Sequence, residues 1–167
     1  ADEVAGNLVF LKANGAVYGL DAASGRVRWR RYVGHETNIH PAPVSSAVGA
    51  DALVYDGVRQ EIVRCDATTG KLVWRQTLDS PAVTPVIQSR ALFVATREGR
   101  ILQMDPESGE VLRQASLPQR LMLPPGVDER RPQLYQLSEH SNLYVVSMDT
   151  LECQEVFYIG HEAGTVQ

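Results

Sequence analysis

The chain repeats itself, and this limits its fold more than any other feature. Four segments align on an aspartate: residues 17–29 (VYGLDAASGRVRW), 62–74 (IVRCDATTGKLVW), 101–113 (ILQMDPESGEVLR) and 143–157 (LYVVSMDTLECQEVF). The anchors Asp21, Asp66, Asp105 and Asp149 are 45, 39 and 44 residues apart. In the first three repeats a glycine follows four residues later, as Gly25, Gly70 and Gly109. A large side chain follows the aspartate by eight, as Trp29, Trp74, Arg113 and Phe157. A period near 42 residues is the signature of stacked supersecondary units.

Each unit reads as strand, turn, strand. An aspartate bonds the backbone two residues on, and a glycine supplies positive φ, so Asp-x-x-x-Gly is a tight turn. β-Rich runs flank it: 17–20 and 26–32, then 62–65 and 71–78. A third strand precedes each pair, at 8–12, 52–55, 91–96 and 133–137. A proline-initiated strand begins three of the units, at Ala42-Pro43, Thr84-Pro85 and Leu123-Pro124, since proline loses no ladder bond at a strand's start. Four short strands per unit is the pattern of a β-propeller blade. The sequence therefore predicts an all-β fold, a β-propeller of about four four-stranded antiparallel blades at roughly 6–33, 41–79, 83–118 and 122–160. Residues 161–167 are expected to start or close a further blade.

Composition agrees and excludes several classes. Twenty valines against five isoleucines make a β-branched load that favours strands. No stretch carries the 3.6-residue apolar period of a helical solenoid. A β-sandwich would not repeat Asp-x-x-x-Gly-x-x-x-Trp. The net charge of −4 predicts no nucleic-acid partner, and no apolar run reaches the ~20 residues of a transmembrane helix. Cys65 and Cys153 form neither a disulfide framework nor a zinc motif; Cys65, among apolar neighbours, reads as a core thiol.

The Asp21/Gly25/Trp29 and Asp66/Gly70/Trp74 spacings resemble the pyrroloquinoline-quinone (PQQ) repeat and its tryptophan-docking motif. The resemblance covers nearly the whole chain and fades in the fourth repeat, where Cys153 and Phe157 stand in the glycine and tryptophan places. It implies that each tryptophan packs on the neighbouring blade's turn, so Asp21, Gly25, Trp29, Asp66, Gly70, Trp74, Asp105 and Gly109 are expected to dock blades. Arg113 has two readings, stacked in the same slot or lying on the surface. The family includes quinoprotein dehydrogenases and non-enzymatic relatives such as the outer-membrane β-barrel assembly lipoprotein. Both usually have eight blades, and the family is mostly extracytoplasmic, which implies a periplasmic setting.

Blade geometry predicts one face built from the turns between second and third strands and from the loops between blades. It would carry His35, Glu36, His40, Arg59, Arg97, Arg100, His140, His161 and Glu162. Two segments echo each other there, 31–36 (RYVGHE) and 157–162 (FYIGHE), 126 residues apart. They read either as a repeated binding loop or as a repeated connection with incidental polar residues. A zinc reading of His35-Glu36 with His40 fails on spacing, and Pro41 and Pro43 forbid the helix it needs. No Gly-x-Ser-x-Gly or phosphate-cradling loop occurs. No catalytic, metal-ligating or cofactor-binding residue is assigned. As the resemblance implies, the PQQ enzymes use calcium, an aspartate base and often adjacent cysteines; this chain has no Cys-Cys and no acidic cluster on that face.

Three functions follow as expectations. The first is a non-catalytic scaffold for protein–protein interaction. The second is a fragment of a PQQ- and calcium-dependent dehydrogenase, and the third an extracytoplasmic ligand-sensing propeller. Four blades make half an eight-bladed ring, so the partner is expected to be another protein or a second propeller half, with a homodimer or a small closed ring as the further arrangements.

Overall fold

The computed structural model describes residues 8–160 apart from Thr37, Ala47, Val48, Ser89 and Glu129. These residues form fifteen strands in four antiparallel sheets. The first sheet has three strands in sequential order, β1 (Leu8–Ala13), β2 (Ala16–Asp21) and β3 (Val27–Tyr32). The second has four, β4 (Ala42–Ser46), β5 (Gly49–Asp56), β6 (Glu61–Cys65) and β7 (Leu72–Thr77). The third runs β8 (Val86–Gln88), β9 (Ala91–Ala95), β10 (Arg100–Met104) and β11 (Val111–Ser116). The fourth runs β12 (Gly126–Asp128), β13 (Gln133–Leu137), β14 (Asn142–Ser147) and β15 (Cys153–Tyr158). Every sheet is an up-and-down meander, the form of a propeller blade.

The turn chemistry read from the sequence sets the outer hairpin of each of the first three blades. The Asp21 N–H donates to Arg26 O at 2.9 Å, and the Gly25 N–H to Asp21 O at 2.8 Å. Asp66/Lys71/Gly70 and Asp105/Glu110/Gly109 repeat the pattern. The three glycines have φ of +69°, +69° and +75°, where a side chain is strained. The aspartate carboxylates close the inside of the turn: Asp66 Oδ1 accepts from the Thr68 and Thr69 N–H groups and the Thr69 hydroxyl.

The fourth repeat corrects the sequence alignment by two residues. There the Ser147 N–H donates to Glu152 O and the Leu151 N–H to Ser147 O, both at 2.9 Å. Ser147 Oγ accepts from the Asp149 and Thr150 N–H groups, as the aspartate oxygens do elsewhere. Ser147 therefore holds the anchor place, not Asp149, and Leu151, at φ +59°, holds the glycine place, not Cys153. A bulge sits at the same point of each outer pair, after Gly19, Arg64, Gln103 and Val145. Just before it the register pairs Gly19 with Trp29, Arg64 with Trp74, Gln103 with Arg113, and Val145 with Glu155. Glu155, not Phe157, is thus the counterpart of the tryptophans.

The chain divides into two compact units, Ala1–Pro81 with Asp105–Glu110, and Ala82–Met104 with Val111–Gln167. The core of the first gathers Val17, Trp29, Val33, Ala52, Val54, Val63 and Cys65. That of the second gathers Phe93, Ile101, Leu121, Leu134, Tyr144 and Val146 among others. β6 and β9 are buried along their whole length, β6 with Glu61 and Arg64 among its residues. No helix among the described residues is long and apolar enough to cross a membrane.

The turn aspartates couple the fold to pH. The Thr69 hydroxyl and N–H hold the Asp66 carboxyl below the usual range, and the Glu107 N–H and Ser108 hydroxyl do the same for Asp105. A depressed carboxylate stabilises the fold above its ordinary pKa, near 4, and that stability is lost as pH falls through the lower, folded value. The melting temperature is therefore expected to fall below about pH 4. Asp66→Asn keeps the acceptor oxygen and removes the titration, so its melting temperature is expected to lose less on acidification; an identical acid slope would count against the assignment.

Candidate interaction site

Two sets of contacts organise the molecule. The first joins the outer strand of one blade to the next blade's turn. Trp29, on β3, is 8% exposed and donates its Nε1–H to Ala67 O at 2.6 Å. Its ring lies over Gly70, where a Cβ would come 2.6 Å from Cγ, and tilts against Phe10 at 6.0 Å. Gly19, across the register, is also under the indole. Trp74, on β7, repeats the arrangement: Nε1–H donates to Pro106 O at 3.0 Å, and the ring lies against Gly109. Arg113 does something else. It is exposed on β11 and bonds Gln103 Oε1 at 3.2 Å.

A buried ion pair accompanies the second indole. Arg64 Nε donates to Asp51 Oδ2 at 2.8 Å, and its other nitrogens to Pro106 O at 2.8 Å and Ser45 O at 3.3 Å. Asp51 Oδ1 accepts the Ala67 N–H. Arg64 and Asp51 are 6% and 7% exposed, so removing either leaves a buried charge without its partner. Sequence reading missed this pair; the only signal was an arginine inside the apolar run 62–65. It also missed Gln119, whose Oε1 accepts from the Ser138 hydroxyl, the Asn142 amide and the Tyr144 hydroxyl.

The second set of contacts fixes the loops at the opposite ends of the strands. The Val33 N–H donates to Gly15 O, Leu78 to Gln60 O, Leu117 to Gly99 O, and Ile159 to Ser141 O, each at 2.8 Å. Each donor lies twelve residues past its turn anchor, counting Ser147 as the fourth. In the first unit the Gly57 N–H also donates to Val33 O, and Gly34 packs against Val58. In the second, Glu139 N–H donates to Arg120 O, and Arg120 lies 3.5 Å from Glu98.

The loop residues singled out in the sequence divide between these units. In the first, His35, Glu36 and His40 are exposed; His35 lies edge-on to Tyr32 and covers Gly15. Arg59 is exposed and pairs at 2.9 Å with Asp56, which is fully buried and also accepts the Val58 and Arg59 N–H groups. In the second, Arg97 and His140 are exposed, while Arg100 is the first residue of β10 and half-buried rather than in the turn. His140 and Ser141 both sit in the left-handed region, at φ +60° and +59°. His161 and Glu162 lie outside the described residues.

Among the described residues no three His, Cys, Asp or Glu side chains gather as a metal site would require. Asp56 is committed to its own turn, Cys65 is buried in the core with its thiol pushed up by burial, and Cys153 is exposed on β15.

Comparison with known proteins follows the same lines. A family model described as outer membrane protein assembly factor BamB matches residues 2–81 and 58–154. The chain belongs to this family of PQQ-like propellers. The crystal structure of BamB from Moraxella catarrhalis is similar at a TM-score of 0.66 with 20% identity, over 90% of this chain and 49% of that one. The computationally designed Ika8 protein is similar at a TM-score of 0.68 with 14% identity, over 93% of this chain and 47% of that one. The chain spans about half the length of these structures, and they share its fold. Comparison with curated proteins finds no significant match.

The indole contacts predict the cost of losing them. Trp29→Ala and Trp74→Ala are each expected to destabilise by about 3–5 kcal/mol, read from urea unfolding midpoints. An unchanged midpoint in either variant would remove that indole from the stabilising set.

Proposed function

We propose that the chain is a non-catalytic propeller segment that serves as a protein-interaction scaffold in outer membrane protein assembly, on the periplasmic side. The observation that carries this reading is the fourfold backbone staple. Its bonds run between main-chain atoms and use none of Glu36, Arg97 and His140, which are left exposed to a partner. Side chains so presented, with no converging acid, base or nucleophile among the described residues, suit recognition rather than chemistry. The left-handed pair His140-Ser141 supports it too, since non-glycine residues keep such backbone where a loop's shape is used. The family description supplies the process.

Complementation tests this function. Cells lacking the gene are expected to hold less folded β-barrel protein in the outer membrane, and the wild-type gene to restore it. Glu36→Lys, Arg97→Glu and His140→Asn together are expected to fail to restore it while melting like the parent, because all three side chains are exposed. Undiminished barrel protein in the deletion strain, or full rescue by the triple variant, would count against the proposal. Added PQQ with calcium is expected to leave the melting temperature unchanged and to support no dye reduction; a rise of several degrees would restore the dehydrogenase reading.

A further inference from the structure

Three side-chain donors converge on one oxygen in the loop between β11 and β12. Gln119 Oε1 accepts from the Ser138 hydroxyl at 2.6 Å, the Asn142 amide at 2.9 Å and the Tyr144 hydroxyl at 3.2 Å. The backbone brings the donors together. Asn142 opens β14 and Tyr144 follows by two, so both point to one face of the strand. The Ser138 N–H donates to Asn142 O at 2.9 Å, which sets the third donor beside them. Ser138 and Tyr144 are 4% and 5% exposed, so their hydroxyls are cut off from water and need an acceptor. Gln119 stands between the buried anchors Leu117 and Leu121 and is itself only half-buried. It roofs the three donors from the solvent side.

An amide oxygen suits this place poorly. It has two lone pairs for three donors, whereas a carboxylate offers about four acceptor sites on two oxygens. Hydrogen bonds to an ionised acceptor are also the stronger kind. The rim adds a cation. Arg97 O accepts the Leu121 N–H at 3.3 Å, so Arg97 adjoins the loop that carries Gln119. Its side chain is exposed and has no ion-pair partner among the described residues. The other rim charges are engaged: Arg120 lies 3.5 Å from Glu98, and Glu139 Oε1 accepts the Arg120 N–H at 3.4 Å.

We infer that Ser138, Asn142 and Tyr144 form a carboxylate-binding notch, roofed by Gln119 in the free chain and entered by an aspartate or glutamate side chain of the partner protein. Arg97 draws the acid toward the notch. Gln119 makes way by turning its side chain, while the loop stays anchored through the Leu117 N–H on Gly99 O and the Glu139 N–H on Arg120 O. The inference rests on the proposed scaffold function for the bearer of the acid. The notch's preference for a carboxylate stands without it.

The preference is tested first without a partner. Gln119→Glu supplies the carboxylate from within and is expected to raise the melting temperature by about 2 °C at neutral pH, although it adds a negative charge near Glu98 and Glu139. The three donors hold that carboxyl below its ordinary pKa, so the gain is present above about pH 4 and lost as pH falls further. A melting temperature at or below the parent's at neutral pH would overturn the inference. Gln119→Ala removes the roof. Acetate at about 100 mM is expected to raise the melting temperature of this variant by roughly 2 °C or more over chloride, and acetamide to leave it unchanged. No response to acetate, or an equal response to acetamide, would overturn the carboxylate preference. Complementation then tests the partner's acid. Gln119→Glu, with the notch filled from within, is expected to restore less folded β-barrel protein than the wild-type gene, and Gln119→Ala to restore it fully. Full rescue by Gln119→Glu would overturn the partner's use of the notch. Failure of the wild-type gene itself would count against the proposed function, and the melting curves would still decide the notch.

Discussion

The contact between an indole and a glycine turn is the interaction on which the repeat depends. A meander of three or four short strands has little independent stability, and a repeat protein gains it from interfaces between neighbours. Here each such interface needs three things at once. The turn must be tight, which the aspartate provides. The ring must reach its backbone, which only a glycine permits. A bare carbonyl must face the Nε1–H, as those of Ala67 and Pro106 do. The Asp-x-x-x-Gly-x-x-x-Trp spacing is the linear trace of this arrangement, with the first two residues receiving one neighbour and the tryptophan reaching the other.

The second docking site carries more than the first. Pro106 O accepts from both Trp74 and Arg64, and Arg64 is held in turn by Asp51. Burying such a pair costs desolvation that its attraction barely offsets, so it adds little net stability. Its effect is geometric. The guanidinium ties together β5, β6 and the turn that receives Trp74, and a neighbour shifted by one residue would take the Pro106 carbonyl from both the guanidinium and the indole. At the matching place in the first blade stands Gly19, and the indole itself fills the space. A ring over glycine and a charge pair beside a ring are two solutions to one packing problem.

The all-β class, the strand order and the first three turns were legible in the sequence because each rests on local chemistry: valine-rich runs, an aspartate that bonds its own backbone, a glycine at positive φ. The fourth repeat was misread by two residues because its turn uses substitutes. Ser147 Oγ does the aspartate's work and Leu151 takes the left-handed backbone without glycine, while Asp149 lies two residues away as a decoy. The Arg64–Asp51 pair was hidden for another reason. Its partners are thirteen residues apart, on adjacent strands, and no local pattern announces them. The loops were legible only as positions. The backbone bonds that hold them carry no residue preference, so composition could not reveal them.

That last point explains how one scaffold combines strict and permissive ends. At the turns, specificity lies in side chains, and Asp66, Gly70 and Trp29 admit few replacements. At the loops, the bonds from Val33, Leu78, Leu117 and Ile159 run between main-chain atoms. Val33, Leu78 and Leu117 are buried, which anchors each loop's first residue, while the exposed positions after them vary from His35 and Glu36 to Asp79 and to Arg120. Substitution at exposed positions there changes the chemistry offered to a partner and leaves the blade intact. A chain under selection for binding can therefore vary the exposed positions at one end of its blades, with Asp56 and Gln119 kept by their bonds, while the other end keeps its repeat, and a sequence of this kind declares its fold far more openly than its partner.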